Sequence, residues 1–168
     1  REKGVEYYRK ALSLEGNNRR VLFELGVALE QLSRRQESIE VMKRLVKLDS
    51  SDATILNYLG YMLVEENREL DLAGKLLDRA LAFEPENGAF LDSKGWWFYR
   101  KADFAQARKY IEMALDRIPQ DTTILEHYAL ILEKLGESSA AMEKWREILK
   151  LDPGHDLAHR KVPSPVGP

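Results

Sequence analysis

Three absences limit what this chain of 168 residues can do. It contains no cysteine, which excludes thiol nucleophiles, thiolate metal ligands and disulfides and leaves the compartment open. No apolar run approaches the roughly 18 residues that a membrane-spanning helix needs. No block of about five like charges occurs, and the 26 basic and 28 acidic residues nearly cancel. The sequence therefore predicts no membrane span and no nucleic-acid partner.

Catalytic signatures are also missing. The sequence has no G-x-S-x-G turn, no glycine-rich phosphate loop and no H-E-x-x-H helix. Of its histidines, His155 and His159 would share a helix face, with Asp152 and Asp156 close in sequence. This spacing leaves a weak metal site as an alternative to solvated tail histidines. We expect no enzyme activity, no cofactor and no metal, and we expect His127 to be a groove or surface residue.

What the chain does contain is a pattern of about 34 residues that recurs along its length. Within each copy, apolar residues recur at helical spacing, and a second such set begins about sixteen residues later. Each copy is therefore predicted to hold two amphipathic helices. Small residues recur at equivalent places and would let the paired helices approach closely: Gly26, Gly60, Gly95 and Ala129 in the first helix, Ala73, Ala107 and Ala141 in the second.

The pattern also predicts where the copies begin and end. The second copy carries one extra residue between its helices, near Asn67. A proline, or Ser50 in the first copy, comes where the second helix must stop. The full copies are predicted at 19–52, 53–87, 88–121 and 122–155.

The two ends depart from the pattern. Residues 1–18 match only the second helix of a copy, through Gly4, Tyr8 and Ala11, so we expect a longer array from which a first helix has been cut. In 156–168 we expect a short helix at Asp156 to Lys161 and then a disordered tail. The prolines and the glycine after Lys161 cannot continue a helix.

These residues resemble the tetratricopeptide repeat pattern, a helix-turn-helix with small residues and a closing proline at fixed offsets. The resemblance covers residues 1 to about 155 and implies an all-α fold, a right-handed α-α superhelix of stacked hairpins. It also implies a non-enzymatic scaffold or adaptor that binds a peptide or partner protein in a concave groove. An assembly scaffold that uses its convex face or array ends is the alternative. Metal-dependent activity at the histidine pair is the least favoured.

The resemblance also implies which side chains face the groove. In this family they are the second, fifth, ninth, twelfth and thirteenth of each copy, which we call the inward positions. They correspond here to Arg20, Phe23, Val27, Glu30 and Gln31; Thr54, Asn57, Tyr61, Val64 and Glu65; Ala89, Asp92, Trp96, Tyr99 and Arg100; Thr123, Glu126, Leu130, Glu133 and Lys134. Partner binding is predicted for Arg20, Phe23, Val27, Asn57, Tyr61, Asp92, Trp96, Tyr99, Arg100, Glu126 and Leu130.

The side chains at these positions limit the kinds of partner that the groove could bind. Some family members bind acidic chain ends with lysine and asparagine at the fifth and ninth positions, and that clamp is absent here. The aromatic residues predict an apolar strip that anchors buried side chains of a peptide or helix: Phe23, Tyr61, Trp96 and Tyr99. Asp92 and Glu126 would favour basic partner residues. We therefore expect a protein partner with apolar and basic residues, and the oligomeric state is left open.

The run around Lys94 carries two further expectations. Trp97 and Phe98 fall at positions predicted to be core, whereas Trp96 and Tyr99 fall on the groove side. Lys94 occupies a place that leucine takes in earlier copies and is predicted to be buried. Either its stem packs while the amine reaches a helix edge, or the ammonium pairs with a carboxylate.

A narrower resemblance is to bacterial tetratricopeptide lipoproteins. It is carried by Gly-Tyr-Met-Leu at 60–63, Arg-Ala-Leu at 79–81, Leu-Asp-Ser-Lys-Gly-Trp-Trp-Phe-Tyr-Arg at 91–100 and Trp145 before Leu-Asp-Pro at 151–153. In those proteins leucine stands at the place of Lys94. They are similar to outer-membrane-tethered scaffolds, some of which present substrates to carboxyl-terminal processing proteases. The resemblance implies a periplasmic or outer-membrane-tethered protein, with a cytoplasmic one as the alternative.

Overall fold

The computed structural model describes residues 2–162, and within them all regular structure is helical. The helices are α1 (Glu2–Leu14), α2 (Arg19–Gln31), α3 (Arg35–Leu48), α4 (Ala53–Glu65), α5 (Leu70–Phe83), α6 (Gly88–Arg100), α7 (Phe104–Arg117), α8 (Thr122–Lys134), α9 (Ser138–Leu151) and α10 (Asp156–Lys161). The predicted all-α fold of helix-turn-helix repeats is confirmed. The tail that was predicted to be disordered lies outside the described residues from 163 onward.

The chain divides into two compact halves between Phe83 and Glu84. In the N-terminal half (α1–α5), α2 pairs with α3 and α4 with α5, while α1 packs on α2 and α3 on α4. In the C-terminal half (α6–α10), α6 pairs with α7 and α8 with α9, while α7 packs on α8 and α10 on α9. Every helix within residues 2–162 is too short or too polar to cross a bilayer.

Side-chain caps recur along the chain and explain where the first helices begin. At each cap a side chain accepts a hydrogen bond from a backbone N–H in the first turn, which satisfies a donor that the helix cannot. The caps lie 34 or 35 residues apart, at Asn18, Asp52, Asn87, Asp121 and His155. The short helix α10 therefore begins where a further first helix would begin.

The hairpin turns also recur, each with one residue in the left-handed region. In every turn the next N–H bonds to a carbonyl five residues back, for example from Asp103 to Phe98 at 3.0 Å, as in a Schellman motif. The left-handed residues have φ between 50° and 79° and are Ser33, Asn67, Ala102 and Gly136. The turn with the extra residue contains a second one, Glu69.

Close helix packing within a hairpin depends on glycine, as expected from the small residues that recur at equivalent places in the sequence. A Cβ atom at Gly95 would lie 2.8 Å from the Ile111 side chain and 3.2 Å from the carbonyl oxygen of Ala107. A Cβ at Gly60 would lie 2.8 Å from Leu77. Both contacts are tighter than carbon atoms tolerate, so these positions bring the first and second helices together.

Candidate protein-binding face

The aromatic residues of the C-terminal half form a stack instead of an open strip. The Trp96 ring lies between Tyr99, at 4.4 Å between centroids, and His127, at 4.1 Å, and is nearly parallel to both. The Arg100 guanidinium lies 5.1 Å from the same ring. Trp96 is only 6% exposed, so little of it is available to a partner in this conformation.

The prediction of which aromatic residues around this stack are buried is wrong. Trp97 and Phe98 were predicted to be core, but both are half-buried, whereas Trp96 is buried. The reason is geometric, because Trp96 points at His127 on α8 while Trp97 and Phe98 pack edge to face on each other. Tyr99 is half-buried and covers one face of Trp96.

His127 is buried and is not the groove or surface residue that was expected. Its side chain is paired with Asp92, with 2.7 Å between Nδ1 and Oδ1, and the two residues are 4% and 6% exposed. A carboxylate only accepts, so the imidazole Nδ1–H donates. Asp92, which was predicted to attract a basic partner, already has a partner within the chain.

The inward carboxylates of α8 are held in the same way. Glu126 accepts from Nε2 of His155 at 3.1 Å. Glu133 accepts from the indole N–H of Trp145 at 2.9 Å and from Lys161 at 2.6 Å. Asp92 and Glu126 are therefore engaged within the chain, and the preference for basic partners stays a prediction.

Leu130 lies between these two carboxylates on α8, and it packs against the core. It contacts the cluster built around Leu125, Ala129 and Trp145. Three inward positions of α8, at Glu126, Leu130 and Glu133, therefore take part in packing or bonding within the chain.

The terminal histidines hold the end of the chain in place and are not simply solvated. His155 Nδ1 accepts from the backbone N–H of Ala158 at 3.2 Å, and this leaves Nε2–H to donate to Glu126. His159 Nε2 donates to the carbonyl oxygen of Pro153 at 2.7 Å. Within residues 2–162, His, Asp and Glu side chains form no group of three or more that could hold a metal ion.

Lys94 is buried at 4% exposure, as its position predicted, and its amine lies over aromatic rings. Its Nζ lies 3.9 Å from the centroid of the Trp97 ring and 5.2 Å from that of Phe98. An ammonium over an indole face is favourable when water is excluded, because the ring face carries negative charge density. The half-buried Trp97 therefore helps to stabilise a buried cation.

The N-terminal half presents its inward positions differently. A surface depression of about 300 Å³ lies where α2 and α4 begin, and it is lined by Arg19, Arg20, Phe23, Asp52, Thr54 and Ile55. Arg20, Phe23 and Thr54 are three of the inward positions inferred from the sequence. Phe23 is half-buried and lies 6.1 Å from the Tyr58 ring, which supports it from behind. The sequence did not identify Ile55 as part of this wall.

The remaining predicted positions of this half continue along the same two helices. Val27 follows Phe23 by one turn on α2, and Asn57 and Tyr61 are one turn apart on α4; all three are half-buried. The amide oxygen of Asn57 is buried and makes no hydrogen bond within the described residues. An unsatisfied acceptor of this kind costs about 1–3 kcal/mol and is available to a donor that a ligand could supply after a rotamer change.

Tyr58 behind the depression is held rigidly. Its hydroxyl donates to the carboxylate of Glu30 on α2. Burial, together with this hydrogen bond, raises the pKa of Tyr58 well above its usual value. The aromatic support of Phe23 therefore stays neutral and fixed at ordinary pH.

A family model of the tetratricopeptide repeat matches the chain at residues 1–53, 29–88 and 94–156. A TPR repeat-containing protein of Pseudomonas aeruginosa is 27% identical over 118 residues, which is 70% of this chain and 19% of that protein. The protein O-mannosyl-transferase Tmtc3 of Drosophila melanogaster is 22% identical over 134 residues, 80% of this chain and 14% of the transferase. The chain thus spans less than a fifth of the length of either relative.

Solved structures also share this fold. MamA from Desulfovibrio magneticus superimposes with a TM-score of 0.77 at 19% identity, over 92% of this chain and 87% of that one. YrrB, described as a TPR protein with an unusual peptide-binding site, superimposes with a TM-score of 0.65 at 20% identity, over 94% of this chain and 80% of that one. At these identities the likeness shows the fold.

Proposed function

Because the chain belongs to the tetratricopeptide repeat family, we propose that it is a non-enzymatic protein-binding module whose binding face lies in the N-terminal half. The observation that carries the proposal is the depression walled by Phe23 and Ile55. Three of its lining residues, Arg20, Phe23 and Thr54, are inward positions implied by the family resemblance, and the depression sets apolar side chains beside polar ones. Such a site suits an anchoring side chain of an extended segment from another protein.

The contrast with the C-terminal half supports this choice. There the inward side chains Asp92, Trp96 and Glu126 are each engaged by a histidine of the same chain. A partner would have to break those contacts before it gained its own, which raises the cost of binding. The face of α2 and α4 requires no such exchange at Phe23.

The peptide-binding site in the description of YrrB supports a peptide as the partner, although its position here is our proposal. Val27, Asn57 and Tyr61 would extend the contact along the two helices beyond the depression. The narrower resemblance to bacterial lipoprotein adaptors stays a prediction.

The proposal is tested by panning a phage-displayed library of random peptides on the immobilised chain. We expect peptides to be enriched, and we expect Phe23→Ala to weaken their binding by at least about 30-fold, the loss typical of an anchoring residue. Tyr7→Ala is the matched control, because Tyr7 is a 74% exposed aromatic on α1 of the same half.

A second variant separates binding from folding. Thr54→Trp adds bulk to an exposed wall residue of the depression and leaves the Phe23 contacts in place. It should block the enriched peptides while the helical circular dichroism and melting temperature stay at parental values. Peptides that bind the parent, Phe23→Ala and Thr54→Trp equally would place the binding face elsewhere.

A further inference from the structure

Charged side chains lie around the depression of the N-terminal half, and most of them form ion pairs or hydrogen bonds within the chain. The Arg19 guanidinium lies 2.6 Å from Asp49 Oδ2 and 3.6 Å from Asp52 Oδ2. Asp49 also accepts from the backbone N–H of Ser51 at 2.9 Å and from its hydroxyl at 2.7 Å. Asp52 accepts from the first-turn N–H of Ile55 at 3.1 Å. Arg19 and both carboxylates are therefore engaged within the chain.

Arg20 differs from these three groups. It is exposed at the rim of the depression and makes no hydrogen bond or ion pair with any residue in 2–162. It lies one turn from Phe23 on the same face of α2, and both residues line the depression. The equivalent second positions of the other copies are uncharged: Thr54, Ala89 and Thr123. The free positive charge is thus particular to this copy.

We propose that this depression recognises an apolar side chain together with a carboxylate on the same partner segment. The apolar side chain occupies the wall formed by Phe23 and Ile55, and Arg20 binds an Asp or Glu side chain through charge-assisted hydrogen bonds. The inference rests on the proposed function of this half and specifies the chemistry of its partner.

The spacing of the two groups follows from chain geometry. Neighbours three apart on a helix have Cβ atoms about 5–6 Å apart, which is the separation of Arg20 and Phe23 along α2. In an extended segment, residues two apart face the same side at about 6.6 Å, twice the rise per residue. The carboxylate is therefore expected two positions from the apolar residue. This charge is opposite to the one that the sequence suggested.

The test compares peptides enriched on the parent chain with those enriched on Arg20→Glu. On the parent we expect Asp or Glu two positions from a large apolar residue, above its frequency in the input library. On Arg20→Glu we expect Lys or Arg at that position instead. Arg146→Glu, a change at an exposed arginine on α9, is the control and should enrich the same peptides as the parent.

The affinity of one enriched acidic peptide gives a second readout. We expect Arg20→Ala to weaken it by about 3- to 10-fold, because an exposed charge contact contributes less than a buried one. That loss should shrink at high salt.

The outcomes separate the two proposals. Three results would overturn the inference and leave the binding face intact, provided that enrichment depends on Phe23. They are peptides with no acidic preference, peptides with a basic preference, and an acidic preference that persists with Arg20→Glu. A library that enriches no peptide, or enrichment that survives Phe23→Ala, contradicts both.

Discussion

The imidazole of His127 and the carboxylate of Asp92 form a buried pair, with 2.7 Å between Nδ1 and Oδ1. The same imidazole is stacked on the Trp96 ring, with 4.1 Å between centroids, so one side chain contacts both a buried carboxylate and a buried aromatic ring. This residue therefore accounts for much of the difference between the two halves. It converts inward positions of α6 into the interior of the C-terminal half.

Removal of the imidazole should be costly for stability. His127→Ala would leave the Asp92 carboxylate buried without this partner and would uncover one face of Trp96. We expect the free energy of unfolding to fall by about 3 kcal/mol or more, as when one member of a buried pair is deleted. Urea denaturation measures the change, with Glu143→Gln at an exposed site of α9 as the control. A loss below about 1 kcal/mol would show that the pair is not a significant source of stability.

The left-handed turn residues give a matched pair of predictions. Ala102 has φ of 60° and Gly136 has φ of 79° at equivalent places, and only glycine adopts this region without a steric cost. Ala102→Gly should therefore stabilise the chain by up to about 1 kcal/mol, and Gly136→Ala should destabilise it by about as much. Thermal melts of both variants check the opposite signs. Two shifts of the same sign are incompatible with the assigned turn geometry.

Removal of the charge at Lys94 should lower the stability of the chain. Lys94→Met keeps the length of the side chain but gives up the contact of Nζ with the Trp97 ring. A desolvated contact of this kind contributes about 2 kcal/mol, and any group that pairs with the ammonium would also lose its partner. We expect destabilisation by about 2 kcal/mol in urea melts, and almost no effect of Lys109→Met at an exposed site of α7. If Lys94→Met is more stable than the parent, the ammonium makes no stabilising contact at this position.

Tyr128 makes the C-terminal half sensitive to alkali. Burial, together with a 2.6 Å hydrogen bond to Glu112, raises the pKa of Tyr128 to about 12. A group whose folded pKa is raised contributes stability fully below its unfolded pKa, near 10, and loses it as pH rises through the folded value. The stability difference between parent and Tyr128→Phe should therefore be constant up to about pH 10 and shrink towards pH 12. A difference that grows over this window contradicts the assigned hydrogen bond.

The sequence predicted the fold well because helix pairing follows from local pattern. Apolar spacing and the recurring small residues such as Gly60 and Gly95 depend only on neighbours along the chain. The caps were not used in the prediction, although Asn18 and Asp52 are residue types that often cap helices and they precede α2 and α4. Histidine rarely serves as a cap, and so the equivalent role of His155 was missed.

The binding face was harder to predict, because an inward position gives the place of a residue on its helix and not the contacts that its side chain makes. Asp92 and Trp96 occupy positions of the kind that Phe23 occupies, yet His127 engages both of them. Histidine at that place in α8 has no counterpart in the earlier copies, and its partner Asp92 is 35 residues distant in sequence. Only three-dimensional packing distinguishes the occupied face from the open one.

The position of the binding face can be read from the backbone resonances of the isotope-labelled chain while an enriched peptide is added. All three tryptophans lie in the C-terminal half, at Trp96, Trp97 and Trp145, so their indole signals report on that half alone. If the face lies on α2 and α4, we expect large shifts at Arg20, Phe23 and Thr54 and unchanged indole signals. A displaced Trp96 indole signal with silent resonances around Phe23 would contradict this position of the face.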